Sequence, residues 1–129
     1  MNTLKIGIVG SRRRDRPEDK ELIRQALSHL INKDKNVIIS LVSGGCKTGA
    51  DHFAEELSNE LRLSISIHYP DRSKMKDDSK YEYVKQLFAR NTLIANEADI
   101  LLACWDGKSS GTLDTINKSR QLGKQVVLL

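Results

Sequence analysis

The sequence predicts an α/β, Rossmann-like fold: a three-layer, doubly wound parallel sheet of five strands in the order 3-2-1-4-5. Three observations predict it. Five short apolar runs alternate with four segments of helical periodicity, and such alternation implies a parallel sheet with helices on both faces. Right-handed crossovers then restrict the topology. The third apolar run alternates strictly with polar residues, the mark of a strand with one lightly covered face, and the predicted order puts that strand at an edge.

The elements follow in turn. Leu4-Lys5-Ile6-Gly7-Ile8-Val9 reads as a buried strand, broken by Gly10-Ser11. Pro17 suits the first position of a helix, with Glu18 and Asp19 in its first turn. Leu22, Ile23, Ala26, Leu27, Leu30 and Ile31 carry that helix to about Lys33. Val37 to Val42 is the second strand, broken by Ser43-Gly44-Gly45. Ala50, Phe53, Ala54, Leu57 and Leu61 form one face of the second helix. Leu63, Ile65 and Ile67 alternate with Ser64, Ser66 and His68 in the third strand. A polar loop from Tyr69 to Ser79 leads to a third helix from about Lys80 to Glu97, with Val84, Leu87, Phe88, Ile94 and Ala95 inward. Ile100 to Cys104 is the fourth strand. A fourth helix starts near Thr112 and ends at Gly123, a favourable C-terminal cap, and Gln125 to Leu129 is the fifth strand.

The 129 residues suit one domain, taken as residues 1–129. With 39% hydrophobic and 29% charged residues the composition is that of an ordinary soluble chain. No apolar run approaches the ~20 residues that span a bilayer, so no membrane partner is expected. The N-terminus has neither the charged start nor the long apolar stretch of a signal peptide, which makes the cytoplasm the expected compartment. The net charge of +4 weakly favours an anionic partner. Cys46 and Cys104 make neither a disulfide scaffold nor a zinc site, and no metal or cofactor is expected. In the predicted sheet both cysteines sit on strands separated by a third, roughly 9–10 Å apart. That is too far for a disulfide, so both are read as reduced and structural.

In a doubly wound sheet, ligands bind beyond the carboxyl ends of the strands where the winding reverses. Here that point lies between strands one and four. Three segments rich in glycine and serine converge there: Gly10-Ser11-Arg12, Ser43 to Gly49, and Trp105 to Gly111. Glycines let backbone N–H groups approach a phosphate, and helix N-termini add donors and a favourable dipole. Ser11, Ser43, Ser110 and Thr112 offer hydroxyls, and Arg12 a bidentate contact. Trp105 either covers the core or stacks on a base. Asn91 falls on the apolar stripe of helix three; a buried Asn needs partners, so it braces the loops or touches ligand. Arg13 and Arg14 read as solvated, His29 and His68 as surface residues, and His52 as structural. Neither a P-loop nor a full Gly-x-Gly-x-x-Gly fingerprint is present, which argues against ATP hydrolysis and standard nicotinamide redox chemistry.

Ile8-Val9-Gly10-Ser11-Arg12, Val42-Ser43-Gly44-Gly45 followed by Gly49-Ala50-Asp51, Arg90-Asn91, and Trp105-Asp106-Gly107 with Ser110-Gly111-Thr112 together resemble the SLOG superfamily. That group joins the DNA-processing protein A (SMF) domain to the LOG-type "lysine decarboxylase-like" proteins, and the resemblance is greatest to its small stand-alone branch. It covers nearly the whole chain and implies a Rossmann-like fold with a nucleotide-type ligand. LOG enzymes cleave the N-glycosidic bond of nucleoside monophosphates with an arginine, matched by Arg90, and a glutamate in a Gly-Gly-x-Gly-Thr-x-x-Glu motif. The glutamate position here is Thr115, which cannot replace a carboxylate at an oxocarbenium-like centre. Asp114 is one position off, about 100° around a helix.

The expected ligand set is therefore Gly10, Ser11, Arg12, Ser43, Gly44, Gly45, Gly49, Asp51, Arg90, Asn91, Trp105, Ser110, Gly111 and Thr112. The first reading is a binding module or sensor for a nucleotide or nucleotide-sugar. The alternatives are a nucleotide N-glycosidase using Arg90 with Asp51 or Asp114, and a single-stranded nucleic-acid binder. The six aromatic residues give the last limited support. A homo-oligomer is also among the expected states.

Overall fold

A computed structural model describes residues 2–75 and 79–129. Its elements are β1 (Asn2–Gly10), α1 (Pro17–Lys33), β2 (Val37–Ser43), α2 (Ala50–Leu61), β3 (Ser64–Ile67), a 3₁₀ turn (Arg72–Lys74), α3 (Lys80–Glu97), β4 (Ile100–Cys104), α4 (Ser110–Gln121) and β5 (Gln125–Leu128). Residues 76–78 of the expected polar loop, and Met1, lie outside the described residues.

All strand pairs are parallel and the order is β3-β2-β1-β4-β5, the predicted one. β1 lies at the centre: Ile6 is level with Leu41 of β2 and Ile100 of β4, and Gly10 with Cys104. Successive side chains of a strand point to opposite faces, so the sheet builds two cores. Ile6, Ile8, Ile39, Leu41, Leu102 and Cys104 pack with Ile23 and Leu27 of α1 and Phe53, Ala54 and Leu57 of α2. Val9, Val42, Leu101 and Ala103 pack with Ile94 of α3 and Ile116 of α4 on the other face. Helices α1 and α2 thus cover one face and α3 and α4 the other, which is what right-handed crossovers produce when the chain returns past β1 to start β4. Leu41 is fully buried, and truncating it to Ala would cost about 2–5 kcal/mol.

Local chemistry sets the boundaries. Pro17 opens α1, and the Asp19 carboxylate accepts the Arg16 backbone N–H at 3.2 Å. Ser79 caps α3 by accepting the Glu82 N–H at 3.2 Å. Helix α4 begins at Ser110 rather than near Thr112, because the Asp106 carboxylate folds the preceding turn onto itself. No helix among the described residues is long and apolar enough to cross a membrane.

Candidate functional site

The winding reverses between β1 and β4, and the loops that follow them open onto a cleft of about 560 Å³. That volume lies inside the range of roughly 300–1,000 Å³ typical of small-molecule sites. One wall is the end of β1 with Ser11, Arg12 and Arg13. The second is Cys46 and Asp51, and the third is the turn from Asp106 into the first turns of α4. The fourth is one face of α3, where Lys80, Tyr83, Val84, Leu87, Asn91 and Ile94 recur at helical spacing.

The β1 and β4 loops are stapled together through Ser11. Its backbone N–H donates to the Cys104 carbonyl at 2.9 Å. Its buried hydroxyl lies 2.7 Å from the Ser109 hydroxyl and accepts the Asp106 N–H at 3.0 Å. The Asp106 carboxylate accepts the N–H groups of Lys108 and Ser109, both at 2.8 Å. Those backbone donors, Ser109 first, hold its carboxyl below the usual range. Trp105 donates its indole N–H to the Ser109 carbonyl at 2.9 Å, and its ring packs on the core beneath α3 and α4. Ser109 occupies the N-cap position of α4, but its hydroxyl turns to Ser11 and no side chain caps the helix. Uncapped first-turn N–H groups and the helix dipole favour an anion at that end.

The loop after β2 is organised around Asp51. Ser43, fully buried, donates its hydroxyl to one Asp51 oxygen at 3.2 Å and to the Ile8 carbonyl at 3.4 Å. The other oxygen accepts the Cys46 N–H at 3.0 Å. Burial pushes the Asp51 carboxyl up, opposed by the Cys46 N–H, the charge of Arg90, the Ser43 hydroxyl and the Gly44 N–H. Gly44 is required by close approach: a Cβ there would meet Arg90 Cζ at 2.8 Å and Asp51 Oδ2 at 2.9 Å. Gly45 has a φ of 77°, and a Cβ would also strike the Tyr69 ring. Gly49 starts α2 with its N–H on the Asp15 carboxylate at 2.7 Å.

Arg90 and Asn91 tie these loops to α4. Arg90 donates Nη1 to the carbonyls of Gly44 and His68, and Nε to the Asn91 side-chain oxygen at 3.1 Å. The Asn91 amide nitrogen then donates to the Gly111 carbonyl at 3.1 Å and to Asp114 at 3.2 Å. Asp114 is further paired with Lys118 at 2.8 Å.

Of the residues singled out from sequence, Gly10, Ser11, Arg12, Asp51, Arg90, Asn91, Gly111 and Thr112 line the cleft. Ser43, Gly44, Gly45 and Gly49 form the layer that shapes its wall, and Trp105, Ser110 and Asp114 stand outside the lining. Three readings need correction. Arg14 is not solvated: it donates to the carbonyls of Trp105 and Leu129 and pairs with Asp19 at 2.9 Å. His68 is half-buried and paired with Glu97 at 2.7 Å, because a side chain at the end of β3 turns inward to α3. Cys46 is not on a strand, since β2 ends at Ser43; it sits in the following loop and faces the cleft. The expected ligand set left out Arg13, Lys80, Tyr83 and Thr115, and also Asp106, Lys108 and Ser109 from within the Trp105 to Gly111 segment that the sequence placed at the site. Lys80 and Tyr83 continue the inward stripe of α3 by one turn, so periodicity gives their face of the helix but not what that face meets.

No family model matches this chain, and no solved structure matches it. It is similar to a phosphoheptose isomerase from Cytophaga hutchinsonii, 32% identical over 105 residues. The match takes in 75% of this chain and 54% of that protein, so the chain spans about half the length of the curated relative it matches.

Proposed function

We propose that the chain is a single binding domain for a sugar phosphate, either free or as the sugar-phosphate part of a nucleotide. The observation that carries this reading is the charge of the cleft. Arg12, Arg13, Lys80 and Lys108 face it with exposed side chains, and the acidic residues in the lining are Asp51 and Asp106. Asp106 is already committed to two backbone N–H groups. A cleft with that balance favours an anion, and the uncapped N-terminus of α4 beside Gly111 and Thr112 is where a phosphate fits. Arg12, Arg13 and Lys108 neutralise it. Asp51 meets a sugar hydroxyl.

Two similarities bear on the rest of the ligand. The likeness to a phosphoheptose isomerase favours a sugar phosphate. The SLOG resemblance favours a nucleotide, and so does the apolar strip of Val9, Val84, Leu87 and Ile94 inside the cleft, which suits a base. In this reading that strip, rather than Trp105, receives the base.

The test is a thermal melt of the protein against matched pairs: pentose, hexose and heptose phosphates, nucleoside monophosphates, ADP-ribose and NAD, each beside its unphosphorylated parent. A ligand at about 100 times its dissociation constant adds about 2.7 kcal/mol, a shift of several degrees for a domain of this size. A shift with a phosphorylated compound and none with its parent supports the proposal. Equal shifts with both, or a flat panel, contradict it. In the enzyme reading turnover rests on Asp51, which lines the cleft, and not on Asp114, which stands outside the lining paired with Lys118 and Asn91. Incubation with whichever compounds bind, followed by a search for an isomer or free base, decides that question.

A further inference from the structure

The aromatic side chains are unevenly placed about the cleft. Among the described residues its lining has one aromatic, Tyr83, half-buried in the opening turn of α3. Trp105 packs on the core beneath α3 and α4, and Phe53 in the core of α1 and α2. Phe88 meets Lys118, Tyr69 lies against Gly45, and Tyr81 is 73% exposed. Val84 and Leu87, beside Tyr83 and one turn on, continue its surface into the apolar strip of the cleft.

The protein itself holds this ring. The Arg72 guanidinium, from the 3₁₀ turn that follows β3, lies over it with Cζ 5.7 Å from the ring centroid, within cation–π range. Arg72 stands outside the lining, so it covers the side of the ring turned from the cleft and leaves the other side toward it. A ring fixed in this way loses little freedom when it packs on a ligand. Its place along α3 matters as well. Asn91 bonds Gly111 at the start of α4, and Tyr83 stands about two turns, roughly 12 Å, from Asn91 along α3. A ligand whose phosphate sits at α4 meets the ring only if it extends beyond its sugar.

We propose that Tyr83 is the platform on which the ligand's base stacks, and that the ligand of the cleft is therefore a nucleotide and not a free sugar phosphate. This rests on the phosphate-binding reading of the same cleft and decides between its two ligand classes. The base lies on the open side of the Tyr83 ring, beside Val84 and Leu87, while the phosphate meets Arg12 and the first turn of α4. Every base offers a π-face, so stacking favours having a base over having none and discriminates little among bases. A ring that served only to anchor the 3₁₀ turn to α3 would contribute to folding and leave ligand preference untouched.

The experiment measures dissociation constants of ribose 5-phosphate, adenosine 5′-monophosphate and uridine 5′-monophosphate by calorimetry, on the full chain and on its Tyr83→Leu and Tyr83→Phe variants. Both nucleotides should bind the parent roughly 5- to 150-fold more tightly than ribose 5-phosphate, the range of base–aromatic stacking. Tyr83→Leu should lose most of that margin and bind ribose 5-phosphate as the parent does. Tyr83→Phe, which keeps the ring, should keep the margin. Ribose 5-phosphate binding the parent as tightly as the nucleotides do would overturn the proposal, with no variant needed, and leave the phosphate reading standing. Equal losses for all three compounds in Tyr83→Leu, or a nucleotide margin that survives there, would overturn it too. If none of the three binds, the phosphate reading fails and the proposal with it.

Discussion

The side-chain amide of Asn91 donates to the backbone carbonyl of Gly111 at 3.1 Å, joining the middle of α3 to the first turn of α4 across the floor of the cleft. The same amide reaches Asp114 at 3.2 Å, and its oxygen receives Arg90. Asn91→Asp keeps the shape, removes the donor and sets a second carboxylate beside Asp114. Breaking hydrogen bonds of a buried group costs about 1–3 kcal/mol. Urea unfolding should show a loss of that size, with Asn91→Asp more destabilised than Asn91→Ala because of the added repulsion. A variant as stable as the parent would contradict the bracing role.

The two glycine segments should respond in opposite ways. Gly45→Ala must hold a φ of 77° and displace the Tyr69 ring, so folding stability should fall by about 1–3 kcal/mol. At Gly111 a Cβ meets nothing within 4 Å, and the residue lies in the first turn of α4. Gly111→Ala should leave stability unchanged or raise it by up to about 1 kcal/mol, while weakening the binding of a phosphorylated ligand. Denaturation and titration of both variants check this. Loss of stability in Gly111→Ala with binding intact would reverse the assignment.

Arg14 ties the loop after β1 to the ends of β4 and β5. Its guanidinium holds the carbonyls of Trp105 and Leu129 and the carboxylate of Asp19. Arg14→Ala should cost about 1.5–3 kcal/mol, the scale of hydrogen bonds to a charged group. Arg14→Lys should recover little of it, because an ammonium lacks the planar fork that serves three acceptors. Chemical denaturation of the pair measures the difference.

Burial raises the Asp51 carboxyl, so the folded chain binds its proton more readily than the unfolded chain does. Its contribution is therefore fully present below the unfolded carboxyl pKa and is lost as pH rises through the higher, folded value. Asp51→Asn, which keeps an oxygen for Ser43 or Cys46 and carries no charge, should flatten stability against pH in the mildly acidic range. Urea midpoints at a series of pH values test it, and identical slopes for parent and variant would contradict the sign.

The fold was legible because β1, β2 and β4 are mainly apolar runs closed by Gly10-Ser11, Ser43-Gly44 and the turn after Cys104, and because β3 alone alternates. Those breaks also located the cleft. Less was legible where a side chain bonds across a long stretch of sequence. Nothing local says that Arg14 meets Leu129 or that Arg90 meets Gly44. Serine hydroxyls read as phosphate donors can equally build the wall: Ser43 turns to Asp51, and Ser11 and Ser109 turn to each other. The lysine and tyrosine at the start of α3 were hidden for a different reason. Periodicity assigns a helix face, and an exposed polar first turn on that face looks the same whether it meets solvent or leans over a site.

The most direct measurement is titration calorimetry of a phosphorylated compound found in the melts, on the parent and on Arg12→Ala, with its unphosphorylated counterpart as control. An anion seated at α4 under Arg12 predicts binding to the parent that depends on the phosphate and weakens in Arg12→Ala by roughly 1.5–3 kcal/mol, the scale of a charged hydrogen bond. Equal affinity in parent and variant, or equal affinity with and without the phosphate, would contradict it.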